Sequence, residues 1–361
     1  MKRVVVSVTN DLTTDQRVAK VCNTLFKNGY DILLVGRKLK DSKELSRSYK
    51  TKRLKLFFNS GFLFYAEFNL RLFFFLLTSK KDVLLSNDLD TLLPNYLVAR
   101  FQTKKLIFDS HELFSEVPEL IDRPFVQNTW KKLENSLLPR LKNSYTVCQS
   151  IADCYQNKYG SQFKVIKNLP LKKTVKRGKF SFNTDNKKII LYQGAVNLGR
   201  GLELMIKSMP LLPNCILVVI GAGDVLEDLK KLTKKKNLKS QVKFLGRIEP
   251  EYLSKLTPLA DVGISIEEDL GLNYRFALPN KIFDYIQAEI PILVSNLPEM
   301  KAVVTDHKVG EILNKRTSED ITETINLILK KDYTKSLMKA KEKLIWENQE
   351  EELLNIFKDA K

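Results

Sequence analysis

The sequence predicts an α/β protein of two consecutive domains, each a doubly wound parallel sheet wrapped by helices, facing a central cleft. Three observations lead there. Short apolar, β-branched runs alternate with longer amphipathic segments through most of the chain, which is the pattern of strand–helix–strand units. The alternation stops once, over the polar and basic stretch LKKTVKRGKFSFNTDNKK. The 361 residues are also enough for two cores of ordinary size.

In the first series the expected strands are RVVVSV (3–8), DILLVG (31–36), DVLLSN (82–87), KLIFDS (105–110), YTVC (145–148) and KVIKN (164–168). After the break come KIILYQG (188–194), CILVVIG (215–221), VKFLG (242–246), VGISI (262–266), PILVS (291–295) and GEIL (310–313). The division is an N-terminal domain, 1–170, a linker, 171–187, and a C-terminal domain, 188–341. The last segment, SLMKAKEKLIWENQEEELLNIF, reads as one helix with acidic and basic faces. Two such domains place a cleft between the carboxyl ends of their sheets, where ligands bind in these folds.

Composition narrows the class. The chain is 43% hydrophobic and 28% charged, as in soluble globular proteins. The net charge of +18 points to a polyanionic partner: nucleic acid, an anionic membrane surface or a phosphorylated substrate. Nucleic acid has only charge in its favour, since no helix-turn-helix signal or interleaved aromatic-basic motif is present. Cys22, Cys148, Cys154 and Cys215 form no CxxC pair, and there are two histidines. Neither a zinc site nor a disulfide framework is expected, and the thiols suit a reducing cytoplasm. The N-terminus reads as a first strand, not a signal peptide. The most apolar stretch, 57–77, is interrupted by Asn59, Glu67, Asn69 and Arg71, so a membrane span is not expected. Phe64, Phe68, Leu72 and Phe75 share a helical stripe there, which suits burial in the domain core ahead of contact with lipid.

Strand KIILYQG runs into AVNLGRGLELMIKSM, a glycine-rich turn that opens a helix. Gly194, Gly199 and Gly201 let backbone approach a ligand, and Arg200 can fork onto phosphate oxygens. Taken alone, such a turn is as often a tight connection. Gly221 ends the next strand, and Arg247 and Ile248 follow the one after, where a flat base can lie against backbone. The stretch LPNKIFDYIQAEIPILVS reads as a helix behind Pro279 followed by a buried strand. Asn280, Lys281 and Asp284 share the face of its first turns. Amide, charge and dipole together can meet a diphosphate there, and Asp284 can accept hydrogen bonds from two vicinal hydroxyls. The plainer reading is a capped helix start with a solvated ion pair.

These stretches resemble the family 4 retaining glycosyltransferases, which have the GT-B fold of two Rossmann-like domains, and the resemblance covers nearly the whole chain. It implies that GAVNLGRG binds the diphosphate of a nucleotide-sugar donor, that Arg200 and Lys281 neutralise the phosphates, and that Asp284 holds the ribose hydroxyls. It further implies that the terminal segment 342–361, around Trp346, crosses back onto the first domain. The second carboxylate that the family carries eight positions before the ribose-binding one is here Phe276. Asn273, Glu267 and Asp269 remain open as its substitute. Glu289 replaces the glycine usual before the strand's proline.

In the first domain, KLIFDSHELF places Asp109, His111 and Glu112 directly after a strand. A lone histidine is most often structural, but a strand's carboxyl end between two acids favours function. By resemblance His111 faces the donor sugar. Asn10, Asp11, Asp15 and Arg17, Asp88 and Asp90, and Asn168 end neighbouring strands and can line the acceptor side, although any of them can equally serve as a cap or Asx-turn. The chemistry implied is transfer of a hexose-like sugar from a nucleotide diphosphate sugar to a glycan, lipid-linked or other hydroxyl acceptor, with retention. Protein cations stabilise the leaving diphosphate, a donor phosphate oxygen takes the acceptor proton, and neither metal nor cofactor is needed. The rival readings are a sugar-nucleotide epimerase on the same architecture and a non-catalytic nucleotide-sugar-binding subunit.

Overall fold

The computed structural model describes residues 1–13, 15–121 and 123–359. Among these the chain forms two compact units, residues 1–168 with 349–361, and residues 169–348; residues 360 and 361 of the expected terminal helix lie outside the described residues. The first unit holds β1 (Arg3–Asp11), β2 (Asp31–Lys38), β3 (Lys50–Lys55), β4 (Val83–Asn87), β5 (Lys105–Ser110), β6 (Ser144–Thr146) and β7 (Lys164–Val165). They form one parallel sheet in the order β3-β2-β1-β4-β5-β6-β7. The second unit holds β8 (Lys188–Gln193), β9 (Cys215–Ile220), β10 (Val242–Gly246), β11 (Val262–Ser265), β12 (Ile292–Ser295) and β13 (Gly310–Leu313). Its sheet is also parallel, in the order β10-β9-β8-β11-β12-β13.

Apolar composition explains the central strands. Every residue of VLLSN in β4 and of CILVVI in β9 is buried, as expected of parallel strands covered on both faces. The second unit's core joins these strands to Met205, Ile206, Ile282, Ile286, Met300 and Ile321 of the flanking helices. Phe180 and Phe182 of the expected linker stack on each other (ring centroids 5.0 Å apart) and pack on the same core, so that stretch belongs to the second unit.

The differences from expectation have local causes. Strand β3, KTKRLK, lacks any apolar alternation because it is the sheet's edge, with Lys50, Thr51 and Lys52 exposed; lysine on an edge strand discourages pairing with other chains. The strand expected at 145–148 ends at Thr146, because the helix Gln149–Tyr159 already starts behind Cys148. The strand expected at 164–168 is two residues long. The terminal segment is two helices, Thr334–Lys343 and Glu350–Asp359, parted around Leu344–Gln349. There Trp346, fully buried, donates its backbone N–H to the Pro170 carbonyl at 2.8 Å, and it sits in the second unit. The helix that follows joins the first unit: Thr24 Oγ1 of α1 (Gln16–Lys27) donates to Glu350 Oε1 at 2.6 Å, and Leu353, Ile356 and Phe357 are buried.

The apolar stretch forms α2 (Gly61–Thr78), the one helix among the described residues long and apolar enough to cross a membrane. Its buried stripe is Phe64, Phe68, Leu72 and Leu76, packed with Val5, Val35, Leu84 and Val98. The fourth member is thus Leu76, not Phe75, because true four-residue steps stay on the sheet-facing side.

Candidate functional site

In the second unit the strand order reverses between β8 and β11, and an open α/β sheet binds ligands at the carboxyl ends flanking such a reversal. The glycine turn lies there. Gly201 (φ 75°) precedes the helix Leu202–Ser208, and a Cβ on it would lie 2.2 Å from the Ile266 carbonyl oxygen; only glycine lets the turn close on the end of β11. Gly221 (φ 147°) admits no Cβ either, because the Gly194 carbonyl oxygen would be 1.8 Å away. Glu268 N donates to Gly199 O at 2.8 Å and ties the turn down.

The helix Asn280–Gln287 starts behind Pro279 without a side-chain cap and buries every residue from Lys281 to Gln287 except Asp284. Tyr285 anchors it: its hydroxyl donates to Leu191 O at 3.0 Å and accepts from Gln193 N at 3.1 Å. Lys281 is therefore no solvated cation. Its side chain is 9% exposed, its Nζ donates to Glu267 Oε1 at 2.8 Å, and it sits 4.1 Å from the centre of the Tyr192 ring. Arg200 Nη1 lies 3.7 Å from the same Glu267 oxygen, and its Cζ is 5.0 Å from the centre of the Tyr274 ring. Burial raises the carboxyl pKa of Glu267, but Lys281, Arg200 and the Ser265 hydroxyl (2.8 Å) outweigh that and hold it below the ordinary range. Gln193 Nε2 donates to Asp284 Oδ2 at 3.1 Å.

The structure thus gathers Gly194, Arg200, Lys281 and Asp284 around the end of β8. A Cβ on Gly194 would be 3.6 Å from Lys281 Cε. Of the open substitutes for the acid absent at Phe276, Glu267 is buried against both cations, Asp269 pairs at the surface with Arg275 (2.9 Å), and Asn273 is half-buried in the short helix Leu272–Arg275. Asn280 is exposed at the helix start. Arg247 and Ile248 follow β10, two strands out from β8, with Arg247 exposed and Ile248 against the core. Arg316 was not foreseen. Its Nη1 donates to the carbonyls of Ile266 and Glu267, each at 3.1 Å, and so braces the segment that carries Glu267. A cation just past the carboxyl end of β13 was the available signal.

In the first unit a second polar network occupies the carboxyl ends of β4 and β5. Arg17, 3% exposed, forks onto the fully buried Asp109 through Nε (2.9 Å to Oδ2) and Nη2 (2.7 Å to Oδ1), and its Nη1 donates to Ile166 O at 2.8 Å. His111 lies between two acids: Nε2 is 3.2 Å from Asp109 Oδ2, and Nδ1 is 3.2 Å from Asp88 Oδ2. Asp88 has φ 57° and also accepts the His111 backbone N–H at 2.8 Å. A ring that meets carboxylates at both nitrogens is satisfied as the doubly protonated cation.

The electrostatics rest chiefly on Asp109, since burial pushes the Asp88 carboxyl up to about 7 despite His111. Burial alone would lower the His111 pKa, yet Asp88 and Asp109 push it up to about 9. Burial would raise Asp109, yet Arg17 and His111 hold it at about 2. Burial pushes Asp90 up to about 8, helped by Asp88, while Thr9 Oγ1 donates to it at 2.6 Å. Asp11 is held by Thr13, Ser42 and Arg53, and Lys20 Nζ donates to Asn168 Oδ1 at 2.7 Å. Asn10 Nδ2 reaches Asp15 Oδ2 at 3.4 Å, and Asp15 caps α1. Glu112 is half-buried, and its carbonyl accepts from Ser110 Oγ at 2.9 Å. Arg17, Asp88, Asp109 and His111 are therefore brought together, with the Glu112 charge near enough to act on Asp88, whereas Asp11 and Asn168 are held by other partners.

Because the folded His111 pKa lies above its unfolded value of about 6.5, the cationic ring stabilises fully below that value, and its contribution is lost as pH rises through about 9. The melting temperature of the protein is expected to fall between pH 7 and about 9.5 by more than that of His111→Gln, with roughly 3 kcal/mol as the upper bound. Calorimetry of both proteins across this range checks it; parallel curves would refute it.

Comparison with known proteins follows the same lines. Residues 174–345 match the family profile described as Glycosyl transferases group 1. An uncharacterized glycosyltransferase of Methanocaldococcus jannaschii is 26% identical over 187 residues, which is 49% of this chain and 46% of that protein, so the match spans about half the curated relative's length. Sucrose-phosphate synthase of Thermosynechococcus elongatus superposes with a TM-score of 0.83 at 15% identity, covering 99% of this chain and 98% of that one. Anabaena HepE, solved in complex with UDP-glucose, gives a TM-score of 0.74 at 12% identity, covering 99% and 100%. At such identities the likeness to solved structures is one of fold, over the full chain. The chain therefore has the GT-B fold, and its residues 174–345 are similar to the glycosyl transferases group 1 domain.

Proposed function

We propose that the protein transfers a sugar from a nucleotide diphosphate sugar to a hydroxyl acceptor, a glycan or lipid-linked glycan, with retention of anomeric configuration. One observation carries the reading: Arg200, Lys281 and Glu267 meet at the switch point of the second unit's sheet, one helical turn from the exposed Asp284. Two cations and one acid leave a net charge of +1 to face a diphosphate. Arg200 Nε has no hydrogen-bond partner among the described residues, and the Lys281 ammonium has three donors, of which Glu267 takes one. These donors stabilise the charge that builds on the leaving diphosphate as the glycosidic bond breaks. Asp284 accepts the two ribose hydroxyls, with Gln193 fixing its orientation.

A donor phosphate oxygen takes the acceptor proton, so no protein base is required. His111, with both ring nitrogens on carboxylates, suits an orienting role better than that of a base. The acceptor is assigned to the first unit. HepE, the Anabaena protein of the same fold, binds UDP-glucose, which makes uridine nucleotides the first donors to try.

Calorimetric titration with UDP, GDP and ADP and their glucose conjugates tests the donor site. One nucleotide is expected to bind selectively, and Asp284→Ala to weaken it about ten- to hundredfold, the worth of hydrogen bonds to a charged group. A flat response across all donors would overturn the reading. Nuclear magnetic resonance of the product's anomeric proton decides retention.

A further inference from the structure

We infer that the outer face of α2, together with the exposed lysines of β3, is a docking surface for an anionic lipid bilayer. The helix carries two apolar stripes. Phe64, Phe68, Leu72 and Leu76 are buried against the sheet. Phe62, Leu70 and Phe74, offset from these by two residues and so close to the opposite side, are 74%, 58% and 58% exposed, with Leu63 beside them. A helix that is apolar all round needs cover on both sides, and the sheet supplies only one.

The charges that interrupt this stretch do not keep the outer face in water. Glu67 accepts the backbone N–H groups of Phe57 and Phe58 at 2.9 Å and pairs with Arg71 at 2.8 Å. The Arg71 guanidinium in turn lies 5.1 Å from the centre of the Phe57 ring. Both charges fold the approach segment onto the helix and leave Phe57, 83% exposed, beside the outer stripe.

Charge selects the occupant. Residues 37–55, which lead into the helix, contain nine lysines and arginines against two acids. Arg37 ties this segment to α2: it donates to Asn59 O at 3.3 Å and lies 4.6 Å from the centre of the Phe64 ring. Leu54 and Leu56 pack on the core that holds the inner stripe. By the two-residue period of a strand, Lys50 and Lys52 share the face of Leu54. A second copy of the chain docking through the same patch would set like cationic edges against each other, whereas an anionic bilayer is attracted by them and accepts the aromatic face. With its inner stripe held in the sheet's core, α2 would lie in the plane of the interface and not across it.

Flotation with vesicles of phosphatidylcholine containing about 30% phosphatidylglycerol, a strongly anionic surface, tests this on the full chain. The protein is expected to float with these vesicles at low salt and to stay behind with pure phosphatidylcholine. The triple variant Phe62→Ser, Leu70→Ser, Phe74→Ser should lose at least about tenfold in partitioning with its melting temperature unchanged. Lys50→Glu with Lys52→Glu, on an exposed strand edge, should lose about tenfold or more through charge alone, and provides the test should the triple variant not fold. No flotation of the unaltered protein, or equal flotation of it and the charge variant, would overturn the proposal. So would a concentration-dependent dimer in sedimentation that the apolar substitutions abolish while vesicle binding is absent.

Discussion

Lys281→Met is expected to destabilise the second unit by about 3–5 kcal/mol, the usual consequence of leaving one member of a buried ion pair alone, and to abolish measurable binding of nucleoside diphosphates. The stability loss arises at Glu267, which is 1% exposed and would keep only the more distant Arg200 and the Ser265 hydroxyl as partners. Without the lysine, the carboxyl pKa of Glu267 rises above its unfolded value. The penalty is then largest near neutral pH and shrinks as pH falls and the acid takes up its proton. The double variant Lys281→Met, Glu267→Leu should recover most of the stability, since replacing a buried pair by apolar groups is close to neutral. It should recover none of the donor binding. Thermal melts beside nucleotide titrations separate the two roles; a Lys281→Met protein of unaltered stability would show that Glu267 does not depend on it.

The first unit should respond comparably to Arg17→Met. Arg17 and Asp109 are buried together and joined by a bidentate fork, so removing the guanidinium leaves a carboxylate with His111 as its remaining cationic partner and the Ile166 carbonyl without its donor. A loss of about 3–5 kcal/mol is expected. A double-mutant cycle with Asp109→Ala should show a coupling of about 2 kcal/mol or more, as for close, desolvated charge pairs. Additive losses in denaturant titrations would mean that the two side chains act independently.

Most of the fold was legible because parallel strands covered on both faces advertise themselves as short β-branched runs, as in CILVVI and VLLSN. Strand β3 was not, because KTKRLK is an edge with few buried side chains, and edge strands are built to look unlike strands. The break in the terminal segment was hidden for another reason. Its amphipathic period runs on through Leu344 and Ile345, and only the Trp346 N–H bonding to Pro170 redirects the chain, a contact between residues far apart in sequence.

The candidate site was legible where the sequence itself packs residues together, as in the glycine turn and in Asn280 to Asp284. What could not be read was pairing across the sheet. Glu267 was one of three open choices, and only the adjacency of β8 and β11 brings it against Lys281 and Arg200. The fork between Arg17 and Asp109 joins α1 to β5 in the same way. By its position Asp11 suited the acceptor side or an Asx-turn equally, and the loop that holds Ser42 and the edge strand that holds Arg53 close on it.

Because the helix Glu350–Asp359 packs on α1, the order of synthesis and the order of completion are opposed. The ribosome makes residues 1–168 first, but that part lacks its final piece until residues 349–361 emerge behind the intervening 169–348. At about 5–20 residues per second, these 180 residues impose a wait of roughly 10–40 s. During this interval the nascent chain exposes the apolar groove that Leu353, Ile356 and Phe357 later fill, which makes it a natural client for holding chaperones.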